Sequence, residues 1–271
     1  MFLNDIIKLI EIGVQLSNQL MRLQDTLQRC CRLPTTPVAV KLARQGEKPP
    51  ARAKYPLEHI GNRLAVCQGM TIARTMGWLL AFRKDDHACP FPRIFMGHVP
   101  AERFLDGAIA DYYLDDPQRM RAMEASYPRW NADTYQQIWL APLTNCDFQP
   151  DLVVAYGNPA QILAMVHGAN YSIGTGVASV SSGRFGCNTW IAAVPQSGAC
   201  TYSIPGPGER VFAGTQDHDM SFAVPVSKID AIIAGMDYVR RRGMYRYPVP
   251  RMSALAEPRI PEKYFQIDPT L

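Results

Sequence analysis

Apolar residues recur at helical spacing near the start of the chain, where Leu16, Leu20, Leu23 and Leu27 form one stripe among polar neighbours. The spacing predicts an N-terminal helix over residues 1–32 that ends near Cys31, because Pro34 and Pro37 follow. Pro37-Val-Ala-Val-Lys41-Leu42 then alternates and reads as a strand, with Lys41 snorkelling from its edge. Gln45 to Tyr55 is a polar, proline-bearing loop. A second apolar stripe through Leu64, Met70, Ile72, Met76 and Leu79 predicts a helix from Arg63 to Phe82, with Cys67 in its first turns. Lys84 to Pro92 reads as a break, Ile94 to His98 as a short helix and Asp115 to Trp130 as an exposed one.

Leu152-Val-Val-Ala-Tyr156 is a continuous apolar run, the pattern of a buried strand. Asn158 follows as an N-cap, with Pro159 as the first helical residue of a helix over Ala160 to Asn170. Gly174 to Gly186 is rich in glycine and serine and reads as partly extended. Asn188 to Val194 reads as a short helix, Thr201 to Ile204 as a strand, Gly206 to Arg210 as a turn and Phe222 to Pro225 as a strand. Ser227 to Arg240 is a helix with Ile229, Ile232, Ile233 and Met236 inward. The interleaving predicts an α/β fold, a single compact domain over residues 33–240 with a mixed central sheet flanked by helices. Residues 241–271 are rich in proline, tyrosine and arginine. They are expected as an extended C-terminal tail that wraps the surface or a partner subunit of a homo-oligomer.

Nearly half of the 271 residues are apolar, enough for a sizeable core. The formal charge of +4 is small, and no block of Lys and Arg stands out, so a nucleic-acid partner is not expected. The slight basic excess suits a small anionic molecule. No stretch approaches the apolar length of a membrane span, and no signal peptide is evident at Met1 to Glu11. Seven cysteines, an odd and scattered set, then suit a reducing cytoplasmic setting rather than a disulfide framework.

Three of these cysteines lie at joints of the predicted fold. Cys67 opens a helix, Cys89 precedes Pro90 at a break, and Cys187 follows the glycine-rich stretch. A thiol at such a joint can face a shared centre, and thiolates suit zinc, copper(I) or an iron–sulfur cluster. No CxxC pair occurs, so any such centre is assembled from distant positions. Three thiols would leave one cluster iron open as a Lewis acid. His87 or His98 could instead join Cys67, Cys89 and Cys187 in a zinc site, or serve as acid or base beside a cluster. Cys146 is a possible fourth ligand, Cys30 and Cys31 end a helix and point in different directions, and Cys200 reads as structural. Near Gly206 and Gly208 stands a charged group of Glu209, Arg210, Asp217 and Asp219. Arg210 in it could grip a carboxylate.

The order of these segments resembles the DUF169 family. It runs from Pro37-Val-Ala-Val-Lys41 to Cys67, then Cys89-Pro90 leading to Met96-Gly97. Pro150 to Val154, Asn158-Pro159-Ala-Gln161 and Cys187 follow, and Gly208-Glu-Arg210 to Gly214 and Phe222 to Pro225 close it. The resemblance spans residues 33–240. It implies that cysteines at the positions of Cys67, Cys89 and Cys187 act together at an iron–sulfur or other metal site. Many members continue their counterpart of Cys89 as Pro-Gly-Gly, where this chain has Pro90-Phe-Pro92. Some also carry a cysteine near the position of Gly206, which this chain lacks. The family brings no activity with it.

Three functions remain open on these residues. The first is an iron–sulfur enzyme with a 4Fe–4S cluster on Cys67, Cys89 and Cys187, and with His87, His98 and Arg210 as catalytic candidates. It would carry out lyase or hydratase chemistry, or a reduction, on a small molecule. The second is a protein with a structural zinc site. The third is a metal-free binding module with an anion held at the Asn158 helix N-terminus.

Overall fold

In a computed structural model the chain is described at residues 2–106, 115–179, 186–242, 247 and 262–270, with side chains from residue 13 onward except at 103 and 104. Six strands form one sheet in a single domain: β1 (Val38–Ala43), β2 (Leu80–Arg83), β3 (Gln137–Pro142), β4 (Leu152–Gly157), β5 (Thr201–Ser203) and β6 (Met220–Pro225). Their order is β2-β3-β1-β4-β6-β5. The sheet-and-helix domain is the one expected, but its ladders are antiparallel throughout rather than mixed. Val40 faces Leu140 on one side and Leu152 on the other, and Val154 faces Ala223. Parallel pairing among the described residues is confined to two isolated bridges, Lys54 with Leu80 and Leu64 with His87.

Both faces of the sheet are covered, so its strands are apolar at successive positions. On one face Val40, Leu42, Leu140, Val154 and Ala223 join Val66, Met70 and Trp190 in a core. On the other, Val153, Ala155, Phe222 and Val224 pack against three helices. These are α1 (Phe2–Cys31), α4 (Pro159–Ile173) and α6 (Ile229–Arg241). α4 and α6 cross closely at two glycines: a Cβ on Gly235 would stand 1.9 Å from the carbonyl oxygen of Gly168. No helix among the described residues is long and apolar enough to cross a membrane.

The first face carries α2 (Val66–Met76), α3 (Pro90–Phe95) and α5 (Pro207–Ala213). Here the structure departs from the sequence pattern in several places. The helix expected to reach Phe82 stops at Met76, because Gly77 takes a left-handed φ of 76° and closes its C-terminus. Leu80–Arg83 becomes an edge strand instead. Gly206 to Arg210 is not a turn but the start of α5. Pro207 sits in its first turn, and the Glu209 carboxylate accepts the Gly206 N–H at 3.0 Å. The helix expected from Asp115 to Trp130 is the shorter Pro117–Ala125, capped by Asp116 and stopped ahead of Pro128. The short helix expected at Ile94 begins earlier, at Pro90. Most of the expected extended tail and part of the glycine-rich stretch, residues 180–185, lie outside the described residues.

Candidate functional site

Cys67 and Cys89 are brought into register by a short bridge between the segments that precede them. The Leu64 N–H donates to the Asp86 carbonyl at 3.0 Å, and the Ala88 N–H donates to the Leu64 carbonyl at 2.9 Å. Asp86, fully buried, fixes the turn below this bridge. Its carboxylate accepts from the Leu57 N–H at 3.0 Å, the Arg83 N–H at 2.8 Å and the Arg83 guanidinium at 2.9 Å. Burial opposes its charge, but these bonds outweigh that and hold its carboxyl below the usual range. From the bridge the chain enters α2, whose Val66 and Met70 anchor on the sheet and whose second residue is Cys67. Cys89 is the N-cap of α3, with Pro90 following. Cys187 enters from the far part of the chain in the helical turn Gly186–Asn188. That turn is pinned by the buried Trp190 and by the Asn188 amide donating to the Pro128 carbonyl at 2.8 Å.

The three thiols line one cavity of about 100 Å³, walled by Phe91, Phe212 and the segment Gly206 to Glu209. The volume is that of a few water molecules. Cys67 Sγ lies 4.0 Å from the Gly208 carbonyl oxygen. Burial, reinforced by the Glu209 carboxyl and by Cys89, pushes the Cys67 thiol up to about 12. Burial raises Cys89 too, and raises Cys187 well above the thiol range, with Cys89, Cys67 and Glu209 adding to it. Three thiols this close stay protonated at neutral pH unless a cation balances them.

Glu209 is the fourth polar group in the cavity, and the sequence pattern had placed it on a solvated turn. Its side chain is almost fully buried. The Tyr156 hydroxyl donates to it at 3.2 Å, and burial raises its carboxyl above the usual range. The Arg74 guanidinium lies over the Tyr156 ring, 4.3 Å from its centroid, and pairs with buried Asp219 at 3.6 Å. Gly186 lets the carboxyl in: a Cβ there would stand 2.3 Å from a Glu209 oxygen. The one advance signal was a Glu at the third position of a segment opened by proline, the N-terminal signature of a helix.

Other residues singled out in the sequence lie elsewhere. His87 is buried against Phe82, ring centroids 5.4 Å apart, and stands 6.0 Å from the His98 ring. Burial, helped by His98, lowers its pKa to about 3. His98 Nε2 meets the Tyr135 carbonyl at 3.0 Å. Neither histidine lines the thiol cavity, and among the described residues no three His, Cys, Asp or Glu side chains are arranged to hold a single metal ion. Arg210 pairs with Asp217 outside the cavity. Cys146 turns to the Phe148 carbonyl at 3.1 Å and packs beside Trp139, Cys200 is buried in the helix-side core, and Cys31 is buried at the end of α1. At the Asn158 helix N-terminus the cap is reciprocal: Asn158 Oδ1 accepts the Gln161 N–H, and Gln161 Oε1 accepts the Asn158 N–H.

The sequence profile of the DUF169 family, described as uncharacterised ArCR, matches residues 26–235. The chain belongs to this family. The DUF169 match contains all three cavity cysteines and Glu209. The chain is also similar to uncharacterized protein MJ0308 of Methanocaldococcus jannaschii, with 26% identity over 210 residues, 75% of this chain and 88% of that protein. No solved structure matches it.

Proposed function

We propose that this DUF169 protein is an iron–sulfur enzyme that holds a 4Fe–4S cluster through Cys67, Cys89 and Cys187 and acts on a small molecule. The observation that carries the reading is the convergence of three thiols, from three separate elements, on one cavity of about 100 Å³. The donor chemistry fits, because thiolates are the usual protein ligands of such clusters. A cluster also asks each cysteine to reach a different iron.

When bound, the cluster supplies either a Lewis-acidic iron at the position without a cysteine or single electrons for a reduction. The protein's own residues do the rest. Phe91 and the half-exposed Phe212 give the small cavity an apolar wall, which favours a small substrate. Glu209 places a carboxyl beside the thiols, oriented by Gly206 and Tyr156. Arg74 and Asp219 brace Tyr156 from behind.

Purification without oxygen, with iron and acid-labile sulfide assayed and the visible spectrum recorded, tests this reading. About four irons and four sulfides per chain, with broad visible absorbance, are the expected result. A triple Cys67→Ser, Cys89→Ser, Cys187→Ser protein should fold and stay colourless. Stoichiometric zinc without sulfide, or no metal in the wild type, sinks the proposal.

A further inference from the structure

Glu209 caps α5 and also stands on the wall of the thiol cavity. It is about nineteen-twentieths buried, yet its known partners are two neutral donors, the Gly206 N–H on one oxygen and the Tyr156 O–H on the other. A carboxylate accommodates about four such contacts, so each oxygen keeps a free lone pair. Among the described residues no cation makes an ion pair with it. Arg74 is engaged by Asp219 beyond the Tyr156 ring, and Arg210 is engaged by Asp217. Arg74 and Arg210 act on the carboxyl from a distance and favour its charge, but burial outweighs them and neither touches it, so among the described residues its direct contacts are neutral donors alone. The backbone is shaped for it, since any side chain at Gly186 would occupy the place of its oxygens. The carboxyl also lies on the wall that the three thiols share.

We propose that Glu209 is the fourth protein ligand at this centre, with its carboxylate capping the iron that Cys67, Cys89 and Cys187 leave uncovered. This rests on the cluster reading above. An oxygen donor is held less tightly by iron than a thiolate, so it is the ligand a substrate oxygen displaces. The freed carboxylate stays held by Gly206 and Tyr156, as partners outside a metal's ligand shell commonly hold a donor in aim.

The test uses the full chain, loaded anaerobically with ferric iron, a thiol reductant and sulfide and then reduced by dithionite. Electron paramagnetic resonance is recorded in ordinary water and in water enriched in oxygen-17. A water on the cluster broadens the lines in enriched water, whereas a protein carboxylate does not. Wild type should show equal widths in both, and Glu209→Ala should broaden. Should Glu209→Ala lose its cluster, Glu209→Gln takes its place, with the same broadening expected. Broadening of the wild type, or unbroadened lines in the variants, overturns the ligand assignment while leaving the cluster standing. A wild type that takes up no iron and sulfide overturns the cluster reading and this assignment together.

Discussion

Leu64 and His87 pair in a parallel bridge, and this pairing sets the spacing of Cys67 and Cys89. Neither cysteine makes it. It is built by the chain just before each thiol and held from below by the Asp86 carboxylate. Site geometry here depends on a residue that does not line the cavity.

Asp86→Ala should therefore destabilise the domain by about 3 kcal/mol, because it leaves buried N–H groups without acceptors. Urea unfolding measures the loss. The wild type should also carry an acid sensitivity from this residue. The carboxyl pKa is lowered by folding, so its contribution is complete above the unfolded carboxylate range and disappears as pH falls through the folded value. Asp86→Ala should lack that component.

His87 acts in the same direction for a different reason. Burial lowers its folded pKa to about 3, so the unfolded chain takes up a proton at a higher pH than the folded one. Stability tied to this ring is complete above the ordinary histidine range and falls as pH drops from there towards 3. Among the described residues neither ring nitrogen has a hydrogen-bond partner. His87→Leu should fold at least as well as wild type at neutral pH and flatten the urea midpoint between pH 6 and pH 4. A midpoint that still falls as steeply would show that the proton goes elsewhere.

Two glycine substitutions should separate the faces of the sheet. Gly235→Ala forces α4 and α6 apart and should cost about 3 kcal/mol by overpacking, with iron content per folded chain unchanged. Gly186→Ala collides with the Glu209 carboxyl instead. It should cost about 1–3 kcal/mol and also lower the iron content. Thermal melts read beside metal analysis distinguish the two.

Cys67 should be a slow nucleophile in the metal-free protein. Raising a thiol from 9 to about 12 lowers its thiolate fraction near neutral pH about a thousandfold. The greater reactivity of a more basic thiolate recovers about thirtyfold of that. Alkylation of folded Cys67 by iodoacetamide should thus be about thirtyfold slower than in the denatured chain, as followed by peptide mass spectrometry. Equal rates would mean that the thiol is not buried among other acids.

The parts of the fold readable from sequence are those with a local stop or cap. Pro34 ends α1, and the Leu152 run with Asn158 and Pro159 marks β4 and the start of α4. β2 was hidden because Leu79 to Phe82 prolongs the apolar stripe of α2, and the break depends on the left-handed conformation of Gly77. β3 lies between two strands with both faces covered, so it shows no alternation to detect. α5 was read as a turn because Pro207-Gly208 carries turn chemistry, and that error also misplaced Glu209. The sharing of one cavity by Cys67, Cys89 and Cys187 has no sequence period, because the third thiol arrives through the chain after β4.

That late arrival fixes an order of biogenesis. The bridge at Leu64 registers Cys67 with Cys89 within the first third of the chain. The cavity does not exist until Gly186–Asn188 and α5 have folded over them. The full wall of the cavity therefore exists only once the chain has been made as far as α5.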